Sequence, residues 1–432
     1  MRKRLVYSLA AVLCTLLAGA ACASLSGYLE TKEPEYRWSK ESESTVGDVR
    51  VVNLRLRSQV WRGIPWDHHL QLFLPKKVSH PKTALLLVTG GDPGQSSTLL
   101  AASLAPRLEG PAAVLYNIPN QPLLDGKRED DLIAHTFQEY LKTGDPTWPL
   151  LFPMVKSAVK AMDALQEYSR RELPAGIEDF VVTGASKRGW TTYLTGATDP
   201  RVRAIAPMVF DNLNFHKQLP RQLELWGKYS EQIDDYTRRG LQQQLQTPRG
   251  RQLVSMVDPW YYRDRLKMPK LLLHGANDRY WSTDSTRLYW NDLPGDKYLL
   301  SIPNAGHGLE DRGRLLNALT AFFHAVAQDR KLPALDLNQE RNGEEIRLKL
   351  VAGERPKAVR LWTARAMNTD FRPVKWADSP MVENGKGYDA AVPAGPGGLA
   401  LFAEAEFESG GRTYTLTTPA SVYGVQEQAA SR

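Results

Sequence analysis

The chain has 432 residues and a mass of 48.4 kDa, with 42% hydrophobic and 24% charged residues, a composition that excludes wholesale disorder and collagen-like order and suits one large domain with a smaller companion. Mean hydropathy is −0.40 and the single long apolar run lies at the N-terminus, so a polytopic membrane protein is excluded. Lys and Arg (55) outnumber Asp and Glu (48), leaving a net charge of +7 and a pI near 9.2; this leans toward acidic substrates or envelope surfaces, and no basic block with interleaved aromatics marks a nucleic-acid footprint.

Arg2, Lys3 and Arg4 precede an apolar stretch from Leu5 to Ala18, and Gly19-Ala20-Ala21-Cys22-Ala23 then supplies small residues. This is the pattern of an export signal over residues 1–23, and it is short of the roughly 20 apolar residues of a permanent span. Both cysteines, Cys14 and Cys22, lie inside it. A lipoprotein signal would leave Cys22 first in the mature chain, carrying a lipid anchor. Cleavage after Ala23 competes, because Gly19 stands where such signals carry Leu. Either way the body holds no cysteine pair and must rest on its core alone. The expected location is exported: periplasmic, associated with the cell envelope, or secreted.

Val52–Arg57 and His69–Leu74 alternate as strands. Short, continuously apolar runs follow at 84–88, 112–116, 180–182, 202–209, 270–273 and 298–302, as expected of strands buried on both faces of a parallel sheet. Helical patterns at Met154–Glu167 and Arg312–Ala327 complete a doubly wound, mostly parallel α/β body over residues 24–332. The rhythm breaks between Val209 and Lys270, too long a gap for an ordinary connection. Residues 212–265 are polar, helix-prone and aromatic, and read as a helical cap over the active face or as a solvated insertion. From 333 to 432, strands without intervening helices, separated by turns such as Ala394-Gly395-Pro396-Gly397-Gly398, have the rhythm of a C-terminal β-sandwich.

Phe180-Val181-Val182-Thr183-Gly184-Ala185-Ser186-Lys187-Arg188-Gly189-Trp190 runs from a buried strand through Gly-x-Ser into a helix. A serine on such a turn has its hydroxyl pushed out at the carboxyl end of the sheet. Serine is a weak nucleophile without a base, and the base needs an orienting acid. Leu271-Leu272-Leu273-His274-Gly275-Ala276-Asn277-Asp278 presents Asp278 just past a strand, and Ser301-Ile302-Pro303-Asn304-Ala305-Gly306-His307 presents His307 past the next. Ser186, Asp278 and His307 in that order, each at a strand end, follow the α/β-hydrolase arrangement. The backbone N–H of Lys187 and that of Gly91, in Thr89-Gly90-Gly91-Asp92-Pro93-Gly94, are the candidate oxyanion donors. Gly90, Trp190 and Trp281 are candidate substrate contacts.

Competing readings stand beside these. Ser186 could serve only as a helix N-cap, and Asp211 is the rival acid. His274 reads as a core or supporting residue, His68 and His69 lack metal-ligand spacing, and His135 and His216 are pocket candidates by position alone. No zinc, P-loop or dinucleotide motif occurs, so no metal and no cofactor is expected.

At Gly184–Trp190, at Asp131–Thr136 after Arg128-Glu129-Asp130, and at His274–Asp278, the chain resembles the PhoPQ-activated pathogenicity-related protein family, exported α/β-hydrolases. The resemblance runs from about Tyr36 to Tyr423 and implies the fold and the triad more firmly than the reaction. Arg188 stands where esterases usually carry a small residue. Glucuronoyl esterases are similar in placing a basic residue close after the nucleophile, which would give Lys187 or Arg188 a substrate carboxylate or the oxyanion to hold; alternatively both are surface cations. The expectation is an exported serine hydrolase, esterase or peptidase, acting through an acyl-enzyme on a small-molecule, peptide or glycan-derived ester or amide. The alternative is a non-catalytic secreted regulator or binding protein on the same scaffold.

Overall fold

The computed structural model describes residues 24–424; the expected export signal, with Cys14 and Cys22, lies outside them. The body strands are β1 (Arg37–Val46), β2 (Val49–Trp61), β3 (Ile64–Pro75), β4 (Thr83–Val88), β5 (Ala112–Leu115), β6 (Asp179–Ala185), β7 (Val202–Met208), β8 (Lys270–Gly275) and β9 (Lys297–Ile302). They form one nine-stranded sheet in the order β1-β2-β3-β5-β4-β6-β7-β8-β9. The first three are an antiparallel meander, and β4 to β9 run parallel. Each apolar run in the sequence is a strand. The strand β1 is an addition: all of its ten residues but Trp38 and Val46 are polar and exposed, so no hydrophobic pattern announces it, and pairing with β2 alone makes it a strand.

Helices α1 (Leu25–Glu30), α2 (Gln95–Leu108), α3 (Glu129–Thr143), α4 (Leu151–Glu172), α5 (Lys187–Gly196) and α10 (Arg312–Ala327) surround the sheet. Successive strand residues feed opposite layers, as a side-chain period of two requires. Leu86, Val182 and Leu272 join the core beneath α4, while Leu85, Val181 and Leu273 join the core beneath α10. Between β7 and β8 the insertion carries α6 (Phe215–Trp226), α7 (Asp234–Thr237), α8 (Leu241–Gln244) and α9 (Pro248–Val257). Asp258 closes this insertion on itself by accepting the backbone N–H groups of Asn214 (3.2 Å), Phe215 (2.9 Å) and Trp260 (2.9 Å).

The tail consists of two antiparallel sheets. One contains β10 (Leu335–Asn342), β11 (Glu345–Ala352), β15 (Gly387–Pro393) and β14 (Val382–Asn384); the other contains β13 (Ala377–Pro380), β12 (Ala358–Ala366), β16 (Gly398–Ser409), β17 (Arg412–Thr417) and β18 (Ser421–Tyr423). Ile346, Leu348 and Leu350 of the first pack with Leu361, Leu401 and Leu416 of the second, and this core is continuous with Phe322 and Leu300 of the body. The tail is therefore built onto the α/β body through shared apolar packing.

Residues 369–376 carry this attachment to the carboxyl edge of the sheet. Asn277 Nδ2 lies 3.2, 3.2 and 2.7 Å from the carbonyl oxygens of Phe371, Arg372 and Val374. Asn304 exchanges two bonds with the backbone of Trp376, at 3.1 and 2.8 Å. Thr369 Oγ1 donates to Leu225 O (2.7 Å), and the Arg372 guanidinium lies 3.9 Å over the Trp226 ring while pairing with Glu231. One short segment thus holds the loop after β8, the loop after β9 and the cap. Trp376, 1% exposed, anchors it against Phe402 at 4.9 Å between ring centroids. Trp376→Ala should lower the free energy of unfolding by about 3–5 kcal/mol, read from a urea titration; a loss below about 1 kcal/mol would show that the segment is anchored elsewhere.

Candidate functional site

Between the end of β6 and the start of α5, Ser186 sits at φ 57°, ψ −125°, a left-handed conformation that a residue with a side chain adopts only when its surroundings impose it. They do so here. Ser186 N donates to Met208 O (2.9 Å) and Ser186 O accepts from Trp190 N (3.0 Å). A Cβ at Gly184 would fall 2.8 Å from the Arg188 carbonyl oxygen, and one at Gly189 would fall 2.7 Å from the Met208 carbonyl oxygen, so the turn closes only with glycine on both sides. Ser186 occupies the N-cap position of α5, yet its hydroxyl makes no capping hydrogen bond.

Two and three strands further along the sheet, the loops after β8 and β9 bring Asp278 and His307 together. His307 Nδ1 lies 2.8 Å from Asp278 Oδ2, and Asp278 Oδ1 accepts the Tyr280 N–H at 2.9 Å. A carboxylate only accepts, so the proton of this pair sits on Nδ1 and Nε2 is left as the basic nitrogen. Nε2 is buried and takes no protein hydrogen bond; in particular none joins it to Ser186. Catalytic bonds of this kind are often open without substrate. Tyr280 lies across the imidazole, with ring centroids 4.1 Å apart and planes at 27°, and also lines the pocket that contains Ser186. Asp211 is engaged differently: Tyr289 donates to its Oδ1 (2.6 Å) and Thr286 to its Oδ2 (2.8 Å). His274 lies 3.8 Å from that carboxylate, behind Asp278. Burial pushes the Asp211 carboxyl above its usual range.

The two cations after the serine point away from solvent. The Arg188 guanidinium places both terminal nitrogens on Glu129, each at 2.8 Å, and its Nε on Ile118 O at 2.6 Å. Lys187 Nζ pairs with Glu129 (2.8 Å) and Asp130 (3.1 Å). Their side chains are 11% and 7% exposed, so they are not surface cations. Burial works to raise the Glu129 carboxyl, but the Arg188 guanidinium and then Lys187 outweigh it and hold it at about 2. Gly90 belongs to the same knot: a Cβ there would fall 2.1 Å from Arg188 Nη2, so its missing side chain makes room for arginine. Gly91, at φ 69°, accepts Asn117 N (2.8 Å) in a loop that leaves β4 beside β6.

Ser186, Lys187, Trp190 and Trp281 line one pocket, roofed by Phe215, Leu219 and Leu241 of the cap. Trp190 stacks on Phe210 (5.0 Å, 18°) and donates its indole N–H to Val257 O. The other histidines stand apart from it. His216 meets Tyr261, His135 packs on Trp148, and His69 bonds Arg55. His68 is buried against Ser58, and burial pushes it down to about 4. Among the described residues no group of His, Cys, Asp and Glu is arranged to hold a metal. Sequence reasoning missed Glu129, Asp130 and Tyr280. An acidic triplet at a helix start satisfies the helix dipole by itself, so nothing local in Glu129-Asp130-Asp131 pointed to cations 57 or more residues away.

The profile of the PhoPQ-activated pathogenicity-related protein family matches residues 25–372, ending inside the tail. Autocrine proliferation repressor protein A of Dictyostelium discoideum is 32% identical over 397 residues, covering 85% of this chain and 79% of that protein. Among solved structures, an acetyl xylan esterase from Paenibacillus sp. R4 superposes with a TM-score of 0.51 at 16% identity, over 72% of this chain and 93% of its own. A glucuronoyl esterase from Solibacter usitatus gives 0.39 at 12% identity, over 60% and 72%. The esterase neighbours share the α/β-hydrolase fold. On the extent of its sequence match, this chain belongs to the PhoPQ-activated pathogenicity-related protein family.

Proposed function

We propose that the protein is an exported serine hydrolase that cleaves an ester through an acyl-enzyme. Ser186 Oγ attacks the carbonyl carbon while His307 Nε2 takes its proton, and Asp278 orients the imidazole and stabilises its cationic form. The N–H groups of Lys187 and Gly91 hold the oxyanion, Lys187 being the first residue of α5 with no intrahelical partner for its N–H. His307 then protonates the leaving alcohol, and water releases the acid by the reverse route. The observation that carries this reading is the 2.8 Å Asp278–His307 pair, with the basic nitrogen left without a protein partner, on the same sheet edge as a strained, uncapped serine. Export is supported by the charged and apolar pattern of residues 1–23. Ester rather than amide is supported by the name of the acetyl xylan esterase among the fold neighbours.

In this reading Arg188 is a positioning residue. It bridges the Gly90 loop, Ile118 O and Glu129, and so fixes the oxyanion loop against the helix that follows the nucleophile. The name of the proliferation-repressor relative favours a second reading, a secreted signal on the same scaffold, which requires no nucleophile.

A fluorophosphonate probe separates the two. Wild type should be labelled and Ser186→Ala should not, with a loss of about 10⁴-fold or more in ester turnover; equal labelling of both proteins removes Ser186 from the mechanism. Glu129→Gln tests the ion-pair knot. The change should lower stability at pH 7 by on the order of 2 kcal/mol, less than the roughly 3–5 kcal/mol of a fully buried pair because the Glu129 side chain is 42% exposed. Its folded value of about 2 lies below the ordinary 4.5, so this stabilisation is complete above pH 4.5 and is lost as the pH falls toward 2. The gap between wild type and variant in denaturant titrations should close over that window; a constant gap would show that charge is not its source.

A further inference from the structure

The pocket beside Ser186 discriminates among the ester classes open to such an enzyme. It is walled by Trp190, Phe215, Leu219, Leu241, Leu245 and Val254. The polar atoms of three of its aromatic walls are already engaged: the Trp190 N–H on Val257 O, the Trp281 N–H on Val209 O (3.4 Å) and the Tyr236 hydroxyl on Asp130 (3.0 Å). The surface offered to a ligand is therefore mostly hydrocarbon, its polar exceptions being Asn212, Tyr280 and Gln242, whose Oε1 is buried without a protein partner. Its cations are engaged as well. Lys187 and Arg188 are neutralised by Glu129 and Asp130, so a substrate carboxylate entering here would find no free positive partner and would be stripped of water without compensation. The cavity is narrow, about 80 Å³, roughly half the ~150 Å³ apolar cavity that accommodates a benzene ring.

Orientation follows from what lines it. Ser186 and Lys187, whose backbone N–H is the candidate oxyanion donor, open onto the slot, whereas His307 does not and stands behind Tyr280. The leaving group must lie against the imidazole that protonates it, so the acyl part occupies the slot.

We infer that the slot binds the acyl chain of an uncharged ester and selects a straight, short aliphatic chain, excluding charged acyl groups by its lack of a free cation and ring-bearing acyl groups by its size, the hydroxylated sugar ring of a uronate ester among them. This rests on the serine-hydrolase reading. The acyl group passes from the ester oxygen to Ser186 Oγ, the alcohol leaves with the proton carried by His307, and water then takes the acyl group off as the carboxylic acid.

The test is a series of 4-methylumbelliferyl esters (acetate, butanoate and benzoate) together with a methyl uronate ester, assayed with wild type and with Leu219→Trp, which fills the slot from the cap. In wild type, kcat/KM for butanoate should exceed that for acetate and for benzoate by about tenfold or more, the scale of added methylenes in an apolar pocket, with the methyl uronate ester slower still. In Leu219→Trp the butanoate-to-acetate ratio should fall by about tenfold, while fluorophosphonate labelling of Ser186 reports that the variant is folded. Preference for the uronate or benzoate ester, or an unchanged ratio in a labelled Leu219→Trp, overturns the acyl-slot inference and leaves the hydrolase reading standing. Failure of wild type to label at Ser186 overturns both.

Discussion

The carboxylate of Glu129 neutralises two buried cations that the sequence places directly after the candidate nucleophile. A helix that starts under a strained serine and carries Lys187 and Arg188 in its first turn opposes its own dipole, and both side chains are nearly excluded from water. Without a counter-charge the turn would have to open and let them out. Glu129 and Asp130, in the first turn of α3, allow it to stay closed. Three consequences follow from that single arrangement. Arg188 can lie against Gly90 and lock the loop proposed to hold the oxyanion; the pocket beside Ser186 is left without a free cation; and α3 is tied to the cap as well, through Asp130 to Tyr236 and Asp131 to Arg238 at 2.7 Å. The same helix turn sets the electrostatics of the elbow and the height of the roof.

The proposed acid and base are governed from the other side. Asn277 precedes Asp278, and Asn304 lies three residues before His307; both are gripped by residues 371–376 of the tail. A triad needs its acid and base fixed to within about half an ångström, and loops at a sheet edge do not supply that stiffness alone. The tail sheets, fused to the body core, supply it here. Deleting everything past Pro333 would strip an apolar face from α10 and β9 and release both loops together, so that cut would disturb the proposed catalytic pair along with the tail.

The body was readable because buried parallel strands are written as apolar runs, and eight of the nine sheet strands contain or coincide with runs or alternations visible along the chain, from Val52–Arg57 to the run at 298–302. The exception, β1, has a polar, exposed sequence and exists only through its neighbour. Ser186, Asp278 and His307 could be chosen because each stands immediately past a strand, where position along the chain predicts position in space. Arg188 could not be interpreted in the same way. Its partner Glu129 lies 59 residues away in sequence, and whether a cation faces a substrate carboxylate or a protein one is decided by the packing of α3, which leaves no local trace. The grip of residues 369–376 was hidden for the same reason: asparagine in a loop past a strand and a turn-rich stretch in a β-tail carry no shared pattern.

The elbow also bears on whether this scaffold catalyses or merely binds. Holding Ser186 at φ 57° is unfavourable for a residue with a side chain, by an amount of order 1–3 kcal/mol, and leaving a buried imidazole nitrogen without a partner adds a further desolvation penalty. A protein that used this fold only as a surface would be stabilised by relaxing either feature: glycine or asparagine at 186 would relieve the backbone, and an apolar residue at 307 would remove the orphaned nitrogen. The chain keeps both, one at the end of β6 and one past the end of β9, and turns the apolar slot onto the same edge. Under the proposed hydrolase reading the two local penalties have one use, the strained turn presenting the serine hydroxyl and the unpartnered nitrogen taking its proton.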